Sequence, residues 1–225
     1  MSIYEISFDE KEYINIDNNP FITYVIENKK ILFNIEKYIR MSFEGERDYI
    51  HLSKDKQLVL LDDYCDVVDN IFVLDINTKK NINALYKILK SLYYEKLKEN
   101  ISGLKQDISK IVSEISLDFD LELYVSNEIK EEDLFKIMDL QFKEIDSDYK
   151  NRLIKYMEVI NELRNIKVFF FFHLHDYFEK EELETIIKEI KYRNISVINI
   201  ESHNLFTKND NERIIIYDND LCYIS

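Results

Sequence analysis

The sequence predicts an α/β protein, with a head domain built from both ends of the chain and an inserted α-helical leg between them. Three observations carry this. Apolar runs such as Phe21–Ile26 and Val168–Phe172 are nearly continuous, as in strands buried on both faces of a helix-covered sheet. From Asn77 to Arg164 the apolar residues recur every three or four positions, the spacing of helices. Beyond Lys167 a strand, a helix and a strand follow in short succession, the pattern of a right-handed βαβ unit in a parallel sheet.

Taken in order, Ile3–Phe8 and Phe21–Ile26 are β-rich, with Pro20 at a strand start where its missing donor is tolerated. Lys29–Met41 reads as a helix presenting Ile31, Leu32, Ile35 and Ile39 to one side. Gln57–Leu61 and Asn70–Ile76 are expected strands. In the helical stretch, Ile101, Leu104, Ile108, Ile111 and Ile115 form a seam that requires a partner helix. Glu131–Phe142 and Asp148–Arg164 are the expected returning helices. The chain then runs through a strand at Lys167–Phe172, a helix at Glu179–Tyr192 and a strand at Ile195–Ile200. Short strands at Arg213–Tyr217 and Leu221–Ile224 finish it. The expected division is a head over 1–90 and 165–225 and a leg over 91–164.

Composition bounds the function. A chain of 225 residues that is 46% apolar can bury a core, and two glycines and one proline leave little flexible linker. Two cysteines, Cys65 and Cys222, are too few for a disulfide scaffold or a thiolate zinc site. The expected setting is therefore a reducing cytoplasm, and no signal or transmembrane pattern is read. A formal charge of −14 argues against a uniformly basic nucleic-acid coat.

That charge is unevenly spread. Residues 78–110 hold eight lysines and three acids, a net +5, whereas 114–148 hold twelve acids and three lysines, a net −9. On one continuous helix, Lys80, Lys87, Lys98 and Lys105 fall within about 20° of a single meridian, with Lys90 about 60° away. Such a stripe can track phosphates; it also describes a solvated lysine-rich face that Gly103 would interrupt.

Two sets of residues have ligand chemistry. Asp118, Asp120 and Glu122 alternate in Leu117-Asp-Phe-Asp-Leu-Glu122, so in an extended segment their oxygens share a face and suit a hard cation such as Ca²⁺. The alternative is acids placed at a helix N-terminus. His173 and His175 end the phenylalanine-rich strand, but no third and fourth ligand stand out among Asp176, His203 and Cys222, and strand-end residues are the plainer reading. Nucleotide hydrolysis has no visible machinery. The phosphate loop needs two glycines five apart, and the chain has only Gly45 and Gly103. No serine elbow and no cysteine with an evident histidine partner is present.

Three stretches fit a known order of segments. They are Ile71–Asn77 leading into Ile82–Lys90, Leu163–Phe172 with Phe178–Glu182, and Asn194–Glu201 followed by Ile215–Tyr223. Together they resemble the Csn-two family, ring-forming accessory proteins of type II-A CRISPR systems, in its short form. The resemblance implies an α/β head similar to a nucleotide-hydrolase core that lacks its phosphate loop, joined to a helical leg. It also implies a homotetrameric ring with a Lys-lined hole for double-stranded DNA ends, held open by Ca²⁺. Asp120 and Glu122 match the family's calcium positions, and position 179 is Glu where the family often has a Thr cap. Such a ring supports spacer acquisition beside the Cas integrase complex and the guide-RNA nuclease, with no catalytic role.

The expected function is thus non-enzymatic, sequence-independent binding of double-stranded DNA ends. Lys80, Lys87, Lys90, Lys98 and Lys105 would be the DNA contacts, and Asp118, Asp120 and Glu122 the Ca²⁺ ligands. The rivals are a nucleotide-dependent enzyme with a degenerate phosphate site and a purely protein-binding scaffold.

Overall fold

A computed structural model describes residues 4–7, 14–16, 20–43, 50–117, 130–143, 148–204, 207–219 and 223–224. It opens with strands β1 (Tyr4–Ser7), β2 (Ile14–Asn15) and β3 (Phe21–Ile26), then helix α1 (Lys29–Phe43). Next come β4 (His51–Lys54), β5 (Gln57–Val59), α2 (Leu61–Tyr64) and β6 (Cys65–Val68). The helices α3 (Lys79–Leu117), α4 (Glu131–Ile137) and α5 (Tyr149–Arg164) follow. The chain closes with β7 (Val168–Phe172), α6 (Leu174–Tyr177), α7 (Lys180–Tyr192), β8 (Ser196–Glu201), β9 (Glu212–Tyr217) and β10 (Tyr223–Ile224).

A six-stranded sheet runs in the order β10-β9-β3-β8-β7-β6. All its pairings are parallel except β10 with β9. The fold is therefore mixed α/β with a parallel sheet and a long helix, as the apolar runs predict.

Alternation along the strands sorts the core into two faces. Val168, Phe170 and Phe172 of β7 join Ile22, Tyr24, Ile26, Ile198 and Ile200, and Ile39 of α1 packs on the same cluster. Phe169 and Phe171 point the other way, into Leu153, Met157 and Ile160 of α5 and Leu183, Ile186, Ile187 and Ile190 of α7. Each phenylalanine removed from water this way contributes about 1.5–3 kcal/mol.

A smaller antiparallel sheet has the order β2-β1-β4-β5. Its β4–β5 hairpin turns on Asp55 and Lys56, whose φ of 52° and 65° are the left-handed pair that a tight two-residue turn demands.

Two compact units emerge, residues 1–76 with 144–225, and residues 77–143. The expected boundary at 90/91 falls inside α3, shortly before its kink at Tyr93. The boundary at 164/165 cuts off α5, whose Leu153, Met157 and Ile160 belong to the core beneath β7. Within the unit 77–143, Asn77 Nδ2 donates to the Phe142 carbonyl at 3.0 Å and Asn77 Oδ1 accepts from the Phe142 amide at 2.9 Å. That reciprocal clasp joins the two ends of the unit. The Tyr86 hydroxyl donates toward the carbonyls of Phe135 and Leu140, tying α4 to α3.

Several expected elements differ. Asn70–Ile76 is not a strand; the sheet edge is β6, pairing Cys65–Val68 with Val168–Phe171. Asn70 is the reason, because its Oδ1 accepts from the Phe72 amide at 2.8 Å and its carbonyl from Val73, folding the segment into a turn. The lysine-rich helix passes through Gly103 without interruption. Its irregular residue is Tyr93, with φ −122° and ψ 21°. The apolar seam is buried only at Ile101, while Leu104, Ile108, Ile111 and Ile115 are 39% to 55% exposed. Of the two helices expected to return along it, α4 ends at Ile137 and α5 lies in the head unit.

Candidate functional site

Helix α3 presents the predicted lysines. Lys80, Lys87 and Lys98 are exposed, and Lys90 and Lys105 are half-buried. The Tyr93 irregularity separates Lys80, Lys87 and Lys90 from Lys98 and Lys105, so the single meridian drawn for a continuous helix holds within each segment and not across both. Lys87 follows Lys80 by seven residues, as Lys105 follows Lys98, which keeps each pair within about 20°. Lys90 Nζ lies 3.4 Å from Glu132 Oε1 of α4, so this ammonium is already engaged within the unit. Lys98 Nζ sits 5.8 Å above the Tyr94 ring, a cation–π contact that leaves its outer face to solvent. Asp118, Asp120 and Glu122 lie outside the described residues, as does Cys222.

A second cluster forms where β7 and β8 end. His173 takes a left-handed conformation, φ 58°, and its amide bonds to the Ile200 carbonyl. The side chains of β8 then hold the following turn. Asn199 Oδ1 accepts from the Leu174 amide at 3.2 Å, and Glu201 Oε1 from the His175 amide at 2.9 Å and from Asn199 Nδ2 at 2.8 Å. This turn sends the two histidines apart, although two positions i and i+2 at a strand end would share a face. His175 Nε2 sits 2.7 Å from Glu212 Oε1, a buried carboxylate that also accepts from Thr23 and from the Asn209 amide. Burial pushes the Glu212 carboxyl up, but the bonds from His175 and Thr23 outweigh it and hold the group below its ordinary 4.5.

His173 faces other acids. Its Nδ1 lies 3.5 Å from Glu201 Oε2 and its Nε2 lies 3.4 Å from Glu36 Oε1. The Glu201 carboxylate beside it raises the imidazole above its ordinary 6.5, against the lowering effect of burial. Nδ1 and Glu201 Oε2 stand 3.5 Å apart, a long contact that is an ion pair when the imidazole is protonated and that leaves both atoms without a well-formed hydrogen bond. Asp176 completes the group: one ligand atom each from His173, Asp176 and Glu201 lie within 4.8 Å of one another. A cleft of about 360 Å³ adjoins it, lined by His175, Asp176 and His203 among others. Sequence reasoning reached the histidines and Asp176 but missed Glu201 and Glu212. The available signal was an acid closing the apolar strand Val197–Ile200, where a charged side chain is uncommon.

The connection from β3 to α1 is the place where a parallel sheet offers phosphates a loop. Here it is Glu27-Asn28, and Asn28 Oδ1 accepts from the amides of Lys30 and Ile31 at 3.1 and 3.3 Å. The helix N-terminus is thereby satisfied by its own side chain. Among the described residues, no helix is long and apolar enough to cross a membrane.

The family model described as CRISPR-associated protein (Cas_Csn2) matches residues 42–221. No curated protein matches the chain.

Proposed function

This chain belongs to the Cas_Csn2 family of CRISPR-associated proteins, and from that premise we propose that it binds double-stranded DNA ends without sequence preference and without catalysis. A homotetrameric ring presents the lysines of α3 to the phosphates, and the ring supports spacer acquisition alongside the Cas integrase complex and the guide-RNA nuclease. The single observation that carries this reading is the exposure of Lys80, Lys87 and Lys98 along one helix of a protein with net charge −14. A chain that repels polyanions elsewhere directs them to that helix. Four copies of a weak phosphate contact add up without reading bases.

Carboxylate oxygens from Asp118, Asp120 and Glu122 are the donor type that Ca²⁺ takes, and bound there the ion would offset repulsion within the acidic stretch. Lys80, Lys87 and Lys98 are the principal contacts. Lys105 assists, and Lys90 exchanges its Glu132 partner for phosphate only at a cost. The short Glu27-Asn28 connection supports the non-enzymatic reading, since the amides of Lys30 and Ile31 already have an acceptor in Asn28.

A ring that threads onto a free end binds linear DNA and ignores the closed circle. Gel-shift titration of both forms at equal base-pair concentration, with Ca²⁺ and with a chelator, tests this directly. The expected result is a Ca²⁺-dependent shift of linear DNA alone. Equal affinity for both forms contradicts threading, and no shift of either supports a protein-binding scaffold. ATP turnover by the pure protein would favour the enzymatic rival.

A further inference from the structure

We propose that His173, Asp176 and Glu201 form a binding site for a divalent transition cation of the Zn²⁺ type at the C-terminal ends of β7 and β8. The argument starts from a buried carboxylate. Glu201 is fully buried, and only its Oε1 is satisfied, by the His175 amide and Asn199. Its Oε2 has no hydrogen-bond partner. A buried carboxylate oxygen left this way is costly, and a cation is the partner that removes the cost.

The imidazole opposite carries the complementary vacancy. His173 Nε2 faces Glu36 Oε1 at 3.4 Å, so the proton can stay on Nε2 while Nδ1 gives up its own to a cation held between it and Glu201 Oε2. A carboxylate orienting the far nitrogen of a ligating histidine is the usual supporting arrangement in metal sites. The spacing also fits. Tetrahedral bonds of about 2.1 Å hold neighbouring donors about 3.4 Å apart, and Nδ1 and Oε2 are 3.5 Å apart. Asp176, partly exposed and free to adjust, brings the third donor from the adjoining turn.

One nitrogen and two carboxylate oxygens make a borderline donor set, which selects Zn²⁺ and its neighbours over the all-oxygen shells of Ca²⁺ and Mg²⁺. His203 Nε2 lies 3.7 Å from Asp176 Oδ1 but outside the group of three, so the fourth position is open to water from the cleft. Such an ion would pin the turn after β7 to the end of β8. This site uses none of residues 118–122, and the proposal stands whether or not the chain binds DNA.

The test uses untagged full-length protein stripped with a chelator, titrated with Zn²⁺ by calorimetry and with Co²⁺ by visible absorption. The expected result is about one ion per chain, a tetrahedral cobalt spectrum that excess Ca²⁺ leaves unchanged, and a rise in melting temperature with Zn²⁺ concentration. His173→Ala and Asp176→Asn, both at partly exposed positions, should each weaken Zn²⁺ binding at least about 10-fold, with the circular dichroism of the wild type retained. Glu36→Gln should weaken it less. Zn²⁺ binding that His173→Ala leaves intact would overturn the proposal, as would displacement of Co²⁺ by Ca²⁺. No stoichiometric binding by the wild type would mean that His173 and Glu201 are simply an ion pair, and would overturn it as well.

Discussion

In the sheet, Phe169, Phe170 and Phe171 are wholly buried by neighbours from the same unit, whereas along the 39 residues of α3 only Asn81, Tyr86 and Ile101 are buried. The same helix exposes Leu104, Ile108, Ile111 and Ile115 together with Lys80, Lys87 and Lys98. Propensity and a few contacts with α4 shape this helix, while packing on two faces shapes the sheet. The sheet's residues are thus accounted for by folding, and the outer surface of α3 is what the proposed DNA binding would use. Substitutions should separate the two regions cleanly.

The largest effect is expected in the sheet. Phe170→Ala leaves a cavity between β7 and α1 and should cost about 3–5 kcal/mol in equilibrium denaturation. Next comes Glu212→Gln, which weakens the bonds to His175 and Thr23 and should cost about 1–3 kcal/mol at neutral pH. Its pH dependence is specific. Because the folded carboxyl is held below its ordinary 4.5, its stabilisation is present above that value and is lost as pH falls through the folded value. Wild-type stability should therefore drop below pH 4.5 more steeply than that of Glu212→Gln.

Within the unit 77–143, Tyr86→Phe removes the hydroxyl shared by the Phe135 and Leu140 carbonyls. It should cost about 1 kcal/mol, read as faster amide exchange in α4. Ile108→Ala, on the exposed part of the seam, should change stability by less than about 0.5 kcal/mol. A loss as large as that of Phe170→Ala would erase the contrast between the regions.

The parallel sheet was legible because burial on both faces leaves continuous apolar runs, and Phe21–Ile26 and Val168–Phe172 lie where that pattern puts them. The edge strand was misplaced for a local reason. Cys65–Val68 contains Asp66 and is short, so Asn70–Ile76 reads as the more strand-like segment although Asn70 itself turns it. The Tyr93 irregularity carries no glycine or proline signal, so a continuous lysine meridian was the natural reading. At the head cluster, His173 and Asp176 were visible as neighbours in sequence. Glu201 closes β8 and Glu212 opens β9 opposite Phe21, so only the folded chain brings both to His175, and a buried acid looks like a solvated one until its neighbours are known.

The claim that α3 captures DNA through phosphate contacts is tested most directly by salt. Linear duplex affinity of the wild type should fall steeply between about 50 and 200 mM salt, with log K declining by about 0.9 per phosphate neutralised. Substituting Lys80→Gln, Lys87→Gln and Lys98→Gln together should weaken binding and flatten that slope while leaving the melting temperature unchanged. An affinity indifferent to salt, or a triple variant with the wild-type slope, would contradict the account.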